Sequence, residues 1–276
     1  MDRVFTMPAL TCVLLLMVTS LMVSPQVSSA GSVSEDRRLL TMPMRDGQAI
    51  VWYLYHSGWA VKTKEHLLVF DYWEHGPRPP DASLSEGFMN LAAIAGLKAC
   101  VFVTHAHSDH YDPRILQWRR WIHDITYVFG WNATDEAAHV RFVQARSSVK
   151  VGGVEVWNVP HALDGIPESA FLVRTDGITV FHAGDHGTAK GQLDPVFKSN
   201  IDYLAGLGQQ IDLYFTPTYG GEIYAIQQLS PRALFPMHDG GNEEQYLKFA
   251  DLARKNRLRT TVVAVRGRGQ RYMYGF

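Results

Sequence analysis

Apolar and aromatic positions fall in short dense runs separated by polar or glycine-containing turns, a rhythm of strands more than of long helices. Ala49–Tyr55 and Leu67–Tyr72 read as strands of a hairpin-rich N-terminal sheet. The period then lengthens: Leu84, Phe88, Leu91, Ala92 and Ala95 share one face of a helix predicted over Leu84–Ala95, with Ser83 or Ser85 as its cap. Ala99–Val103 is a continuous apolar run of the buried-strand kind, and Asp112-Pro113 marks a helix start that leads into Ile115–Trp121. Thr126–Phe129, Val154–Val159, Phe171–Arg174, Thr179–Phe181 and Thr261–Val265 supply further strands, and Glu243–Lys255 a late helix. This alternation lacks a regular βαβ rhythm, which points to sheets covered by helices and not to a single parallel barrel. Neither a repeat nor a long linker interrupts it, so one domain is expected.

The first thirty residues stand apart. Met7 to Val23 is apolar and is followed by Val27-Ser28-Ser29-Ala30, whose small residues suit cleavage before Gly31. The run is shorter than the roughly 20 residues of a spanning helix, so residues 1–30 read as a secretory signal peptide, with an uncleaved anchor as the alternative. The expectation is an exported, periplasmic or secreted protein without stable membrane association after cleavage, formed by residues 31–276. Its only cysteine would be Cys100, so a core, and not a disulfide, must hold it. With 26 Lys and Arg against 27 Asp and Glu, the chain carries no general electrostatic footprint for nucleic acid. A small-molecule substrate is expected, gripped locally.

Chemistry concentrates in His105-Ala106-His107-Ser108-Asp109-His110, directly after the apolar run at Ala99–Val103. Three imidazoles and a carboxylate at the end of a buried strand are costly unless each is satisfied, and a metal ion satisfies several together. In an extended segment alternate residues share a face, so His105 and His107 can grip one ion, while a turn swings Asp109 and His110 toward a neighbouring one.

This run resembles the signature of the metallo-β-lactamase superfamily, and further fragments match that family in order from about Ala49 to the C-terminus. They are His161 after Val159-Pro160, Asp185 in His182-Ala183-Gly184-Asp185, and His238 in Pro236-Met237-His238. Within the superfamily the chain is most similar to the branch of the ascorbate-6-phosphate lactonase, through Tyr55-His56-Ser57-Gly58, Val69-Phe70-Asp71 and Thr218-Tyr219-Gly220-Gly221. The resemblance implies an α/β fold of the αββα sandwich kind, with two mixed sheets face to face, helices outside and metals at one edge. It implies two divalent ions, zinc first and manganese or iron as alternatives, with His105, His107 and His161 on the first and Asp109, His110 and His238 on the second. Asp185 would bridge them, and Asp164 is an alternative to His161. The implied reaction is hydrolysis of a lactone, carboxylic ester or phosphoester by a hydroxide shared between the metals. Asp109 would orient it and shuttle its proton, and Tyr219 and His186 would approach the oxyanion or leaving group.

Single positions weigh the alternatives. Di-iron oxidoreductases of this family carry Glu where His107 stands, and true β-lactamases have Cys or Ser in the slot of Asp185, although export keeps amide hydrolysis as a minority reading. A non-catalytic metal-binding protein is the alternative from another class. Seven candidate ligands on two ions leave room for water, unlike a closed four-ligand structural site. Trp52, Tyr53, Tyr55, Trp59, Tyr72 and Trp73 are expected to pack the core and sheets, with lining of the cleft as the alternative.

Overall fold

A computed structural model describes residues 33–276 except 81, 134–139, 164 and 190, so the expected signal peptide and Asp164 lie outside the described residues. After α1 (Val33–Leu40) the chain forms β1 (Ala49–Tyr55), β2 (Gly58–Lys62), β3 (His66–Phe70), the short α2 (Leu91–Ile94), β4 (Lys98–Val103), β5 (Ile125–Phe129) and β6 (Val140–Phe142). A second series follows: β7 (Ser148–Val151), β8 (Val154–Leu163), β9 (Ile166–Thr175), β10 (Ile178–His182), α3 (Pro195–Gly206), β11 (Leu213–Pro217), α4 (Glu222–Leu229), β12 (Ala233–Met237), α5 (Glu244–Lys255) and β13 (Thr261–Val262). The last strand, β14 (Arg271–Tyr274), returns to pair with β1.

Two seven-stranded mixed sheets result, ordered β14-β1-β2-β3-β4-β5-β6 and β7-β8-β9-β10-β11-β12-β13 along each sheet, the second here written from its opposite edge. The two repeat one plan. Strands β1 to β3 are antiparallel neighbours and β4 to β6 continue parallel to β3. Likewise β8 to β10 are antiparallel and β11 to β13 continue parallel to β10. Parallel neighbours end together, so the turns after β3, β4 and β5, and those after β10, β11 and β12, gather where open α/β sheets place their ligands.

The apolar runs are long because the strands are covered on both faces. In β1, Ala49, Val51 and Tyr53 join the core between the sheets, where Trp59, Phe102, Phe171, Phe215 and Phe235 also lie. Ile50, Trp52 and Leu54 join a second core under α1, α2 and the segment Pro113–Arg120. Trp59 contacts both Phe215 and Phe235 across the sheets, at 4.9 and 5.3 Å between ring centroids. This is the αββα sandwich expected from the sequence. Among the described residues no helix is long and apolar enough to cross a membrane.

The helix expected over Leu84–Ala95 is broken in two. A 3₁₀ turn at Leu84–Glu86 stops at Gly87, which takes φ +76° where a Cβ would lie 2.7 Å from the Leu54 carbonyl oxygen. The chain restarts at Asn90, whose side chain accepts from the Ala92 and Ala93 amides to cap α2. Ser83 precedes the first turn without a side-chain capping bond. The segment after Asp112-Pro113 begins as expected, with Asp112 accepting from the Arg114 amide, but it winds as a 3₁₀ helix over Pro113–Arg120. There the Ile115 carbonyl is taken by the Tyr127 hydroxyl at 2.6 Å.

Candidate metal centre

The centre starts at a residue outside the histidine run. Asp71, directly after β3, is fully buried and left-handed at φ +42°, a conformation that a short polar side chain tolerates. Its carboxylate accepts from the Thr104 amide, the Thr104 hydroxyl and His110 Nδ1, each at 2.8 Å. The start of the loop after β4 is thereby fixed. The His110 and Tyr111 amides then both donate to the His107 carbonyl, at 3.0 and 2.9 Å, and this tight turn carries His110 back over His105.

From the second sheet, Asp185 follows β10. Its amide donates to Glu168 Oε1 at 2.6 Å, and Gly184 before it takes φ +59°. A Cβ on Gly184 would meet Glu168 Oε1 at 2.5 Å and Thr104 Cβ at 2.9 Å, so the close approach of the two halves requires glycine. His238 follows β12 at φ +73°, and its amide donates to the carbonyl of His56, itself at φ +53° in the turn between β1 and β2. Three non-glycine residues of the centre, His56, Asp71 and His238, thus hold left-handed backbone, strain of the kind functional sites retain.

Two donor groups form, each with its ligand atoms within 4.8 Å of one another: His105, His107 and Asp185, and His56, Asp109, His110 and His238. His105 Nε2 and His107 Nδ1 are 2.9 Å apart. Asp185 reaches both groups. Its Oδ1 lies 2.9 Å from His238 Nε2 and 3.1 Å from His110 Nε2, while its Oδ2 lies 3.7 Å from His105 Nε2. Asp109 Oδ2 lies 3.3 Å from His56 Nε2 and 3.9 Å from His238 Nε2.

The electrostatics follow from this crowding. Burial opposes charge on Asp185, but His110 and His238 outweigh it and hold the carboxyl well below its usual range. The adjacent His56 imidazole does the same for Asp109. Burial, reinforced by His110, lowers His105 to about 4, leaving a neutral imidazole with a lone pair to give. Burial and then Asp185 push Glu168 up to about 8. Burial and the same carboxylates raise the Tyr219 phenol, which stays a neutral donor against the His238 ring. Cys100 is no nucleophile, because burial drives its thiol up to about 12.

The structure brings together His105, His107, Asp109, His110, Asp185 and His238. Tyr219 stands against the His238 ring as expected of a group near the donors, whereas His161 and His186 are placed differently. His161, on β8, enters neither donor group; its ring packs edge-on against His186 at 4.7 Å, and among the described residues neither of its buried nitrogens has a hydrogen-bond partner. His186 is buried away from the donors, against Phe197 and with Nε2 3.1 Å from Asn200 Nδ2, in place of the expected approach to a leaving group. His56 is a donor that the ligand set read from the sequence lacked. Asp71, met in the sequence only within the fragment Val69-Phe70-Asp71, binds His110, and Glu168 accepts from the Asp185 amide and lies 3.5 Å from His105 Nδ1, contacts between distant segments whose roles no local pattern reveals.

The donor set fits a metal. His110 Nε2, His56 Nε2 and Asp185 Oδ1 are buried without a hydrogen-bond partner among the described residues, although His110 Nε2 and Asp185 Oδ1 lie only 3.1 Å apart. Lone pairs that converge at this range without bonding one another suit a shared cation.

Fold and centre together define a metal-dependent hydrolase of the αββα class. Residues 50–238 match the family described as a beta-lactamase superfamily domain, and the chain belongs to that superfamily, in its metallo-hydrolase division. A metal-dependent hydrolase of Caldivirga maquilingensis is 22% identical over 197 residues, covering 67% of this chain and 80% of the relative. One of Pyrobaculum calidifontis is 27% identical over 201 residues, covering 66% and 80%. Among solved structures, a metallo hydrolase of Ignicoccus hospitalis superposes with a TM-score of 0.62 at 18% identity, covering 83% of this chain and 99% of its own. A diiron beta-hydroxylase from Streptomyces venezuelae reaches 0.59 at 13% identity, covering 84% and 54%, so the fold alone does not dictate the reaction.

Proposed function

We propose that this hydrolase uses two divalent ions, zinc first and manganese or iron otherwise, to cleave a lactone, carboxylic ester or phosphoester. The observation that carries this reading is Asp185, whose two oxygens face the two donor groups separately, as a bridging ligand requires. His105 and His107 hold the first position, and His110, His238 and Asp109 the second, with His56 beside them. His161 completes the first position by a change of rotamer, which is supported by its two unpaired nitrogens, since each costs about 1–3 kcal/mol while buried and unbonded.

Ions bound there supply water that is acidic near neutral pH and a Lewis acid for the substrate oxygen. The chain supplies the rest. Asp71 keeps the His110 proton on Nδ1 and leaves Nε2 free to ligate. Asp109, held ionised, orients the attacking water and accepts its proton. The Tyr219 hydroxyl, still protonated, donates to the developing oxyanion. His186 supports the wall beneath His161. We place the enzyme outside the cytoplasm, on the leader-like pattern of residues 1–30; a mature N-terminus at Gly31 would support this, and an intact Met1 in the cytoplasmic fraction would refute it.

Metal content and turnover test the reading together. Reconstituted protein should hold about two ions per chain, hydrolyse members of a lactone, ester and phosphodiester panel, and lose that activity to a chelator reversibly. His161→Ala should weaken one of the two ions and spare the other. Stoichiometric metal with no turnover on any ester would leave only a binding protein.

A further inference from the structure

The aromatic residues of the N-terminal hairpins divide into two populations. Trp52, Tyr53, Trp59 and Tyr72 are buried in the two cores, whereas Tyr55 and Trp73, both beside His56, are half-buried and His75 is exposed. Arg268 underlies this second set, 4.0 Å above the Phe88 ring and 5.2 Å from the Tyr55 ring. Its three guanidinium nitrogens each donate to a carbonyl, those of Leu54, His75 and Gly87 at 3.0, 2.7 and 3.0 Å, and so clamp three backbone segments together. His75 stacks on Tyr55 at 4.6 Å and 4°. A layered prop therefore runs from buried Phe88 through Arg268 and Tyr55 to the surface.

Trp73 leans on this prop and is half-buried. Its contacts are tilted or edge-on: Tyr55 at 5.8 Å and 48°, His75 at 4.7 Å and 51°, His56 at 6.2 Å and 83°. Among the described residues no ring stacks parallel on the indole. The His56 ring, itself one of the donors, meets Trp73 edge-on at 6.2 Å and lies 4.0 Å from the His238 ring, so the indole adjoins the donor group directly. Trp73 also lies two residues beyond Asp71, whose bonds to Thr104 and His110 fix that backbone relative to the donor loop.

We propose that Trp73 is the platform on which this hydrolase seats a flat, uncharged aromatic or heteroaromatic ring of its substrate, next to the scissile group. The proposal rests on the hydrolytic reading of the adjoining centre. Planarity follows from the half-buried indole, on which no ring stacks parallel among the described residues and which favours offset stacking. Neutrality follows from Asp109, whose carboxylate beside His56 would repel an anionic ring.

Calorimetric titration of the zinc-loaded protein with benzylphosphonate and methylphosphonate, tetrahedral anions with and without a ring, tests this. Wild type should bind the benzyl compound about tenfold more tightly, the sum of stacking and ring burial. Trp73→Ala should abolish that preference and Trp73→Phe should keep most of it, with methylphosphonate affinity and zinc content unchanged in both. Equal affinities in wild type overturn the platform, as does a Trp73→Ala protein that loses zinc and methylphosphonate along with the preference, because Trp73 would then be only a strut for His56. A protein that shows the ring preference but hydrolyses no ester sinks the hydrolytic reading and leaves the platform standing. Ester hydrolysis without the preference does the reverse.

Discussion

Replacing Asp71 by Asn isolates what the second layer of the centre contributes. The side chains are nearly isosteric, and Asn tolerates the left-handed backbone at φ +42°, so folding should survive. The hydrogen-bond pattern changes sign at one point. Asp71 accepts from the Thr104 amide, the Thr104 hydroxyl and His110 Nδ1. The amide oxygen of Asn can keep the Thr104 amide, and the Thr104 hydroxyl can rotate, but the new NH₂ faces His110 Nδ1. With two donors opposed there, His110 must move its proton to Nε2, the nitrogen that faces Asp185 and should ligate. Loss of such an orienting carboxylate costs metal affinity by roughly 10–100-fold, or about 1.4–2.7 kcal/mol. Chelator competition on Asp71→Asn should therefore show one ion weakened by that factor and the other nearly unchanged. Proton–nitrogen correlation spectra of the zinc-loaded protein should show the His110 Nδ1 proton, bonded to Asp71 in wild type, lost in the variant. Wild-type affinity with an unchanged tautomer would refute the argument, because Asp71 would then be only a structural buried carboxylate.

Asp36 on α1 is 1% exposed, and Oδ1 has no hydrogen-bond partner among the described residues; burial raises its carboxyl from 3.8 to about 6. A carboxyl raised in the folded state contributes fully below its unfolded value and loses stability as pH rises through the folded one, here up to about 3 kcal/mol. Asp36→Asn should thus gain on wild type in urea melts between about pH 4 and pH 7, and a difference independent of pH would count against this. Gly184→Ala should lower the melting temperature of metal-free protein by the equivalent of about 1–3 kcal/mol and impair ion binding, since both φ and the contacts with Glu168 and Thr104 oppose a methyl group. Unchanged melting and ion binding would show that the two halves have slack there.

Where the sequence was legible, the cause was burial. Ala49–Tyr55 and Ala99–Val103 stood out because both their faces are covered, and the loop after β4 stood out because three histidines rarely gather without a task. Helical periodicity over Leu84–Ala95 misled because the apolar residues do face one core, but from two short turns separated by Gly87; that glycine and Asn90 were the available signals. The same Asp-Pro start that marked Pro113 also stands at Asp194-Pro195, where α3 begins. The strands forming most of the centre's scaffold were readable, and several donors with them. Glu168 and Asp71 were not, because their meaning lies in partners such as Asp185 and His110, 17 and 39 residues away along the chain. His56 escaped as a donor because a lone histidine in a hairpin turn looks ordinary until His238 is brought against it.

The repeated plan of the two sheets has a consequence for how the enzyme matures. The first series of strands carries His56, Asp71 and the donors from His105 to His110; the second carries Glu168, Asp185 and His238. An emerging N-terminal half is therefore rich in imidazole but lacks the Asp185 carboxylate that meets both donor groups. Full capacity arrives when the halves dock and β14 closes against β1 from the far end of the chain, a step governed by contacts of large sequence separation and correspondingly slow. Metal loading is therefore expected late in assembly, because the donors of each group meet only once both halves have docked and closed their seam.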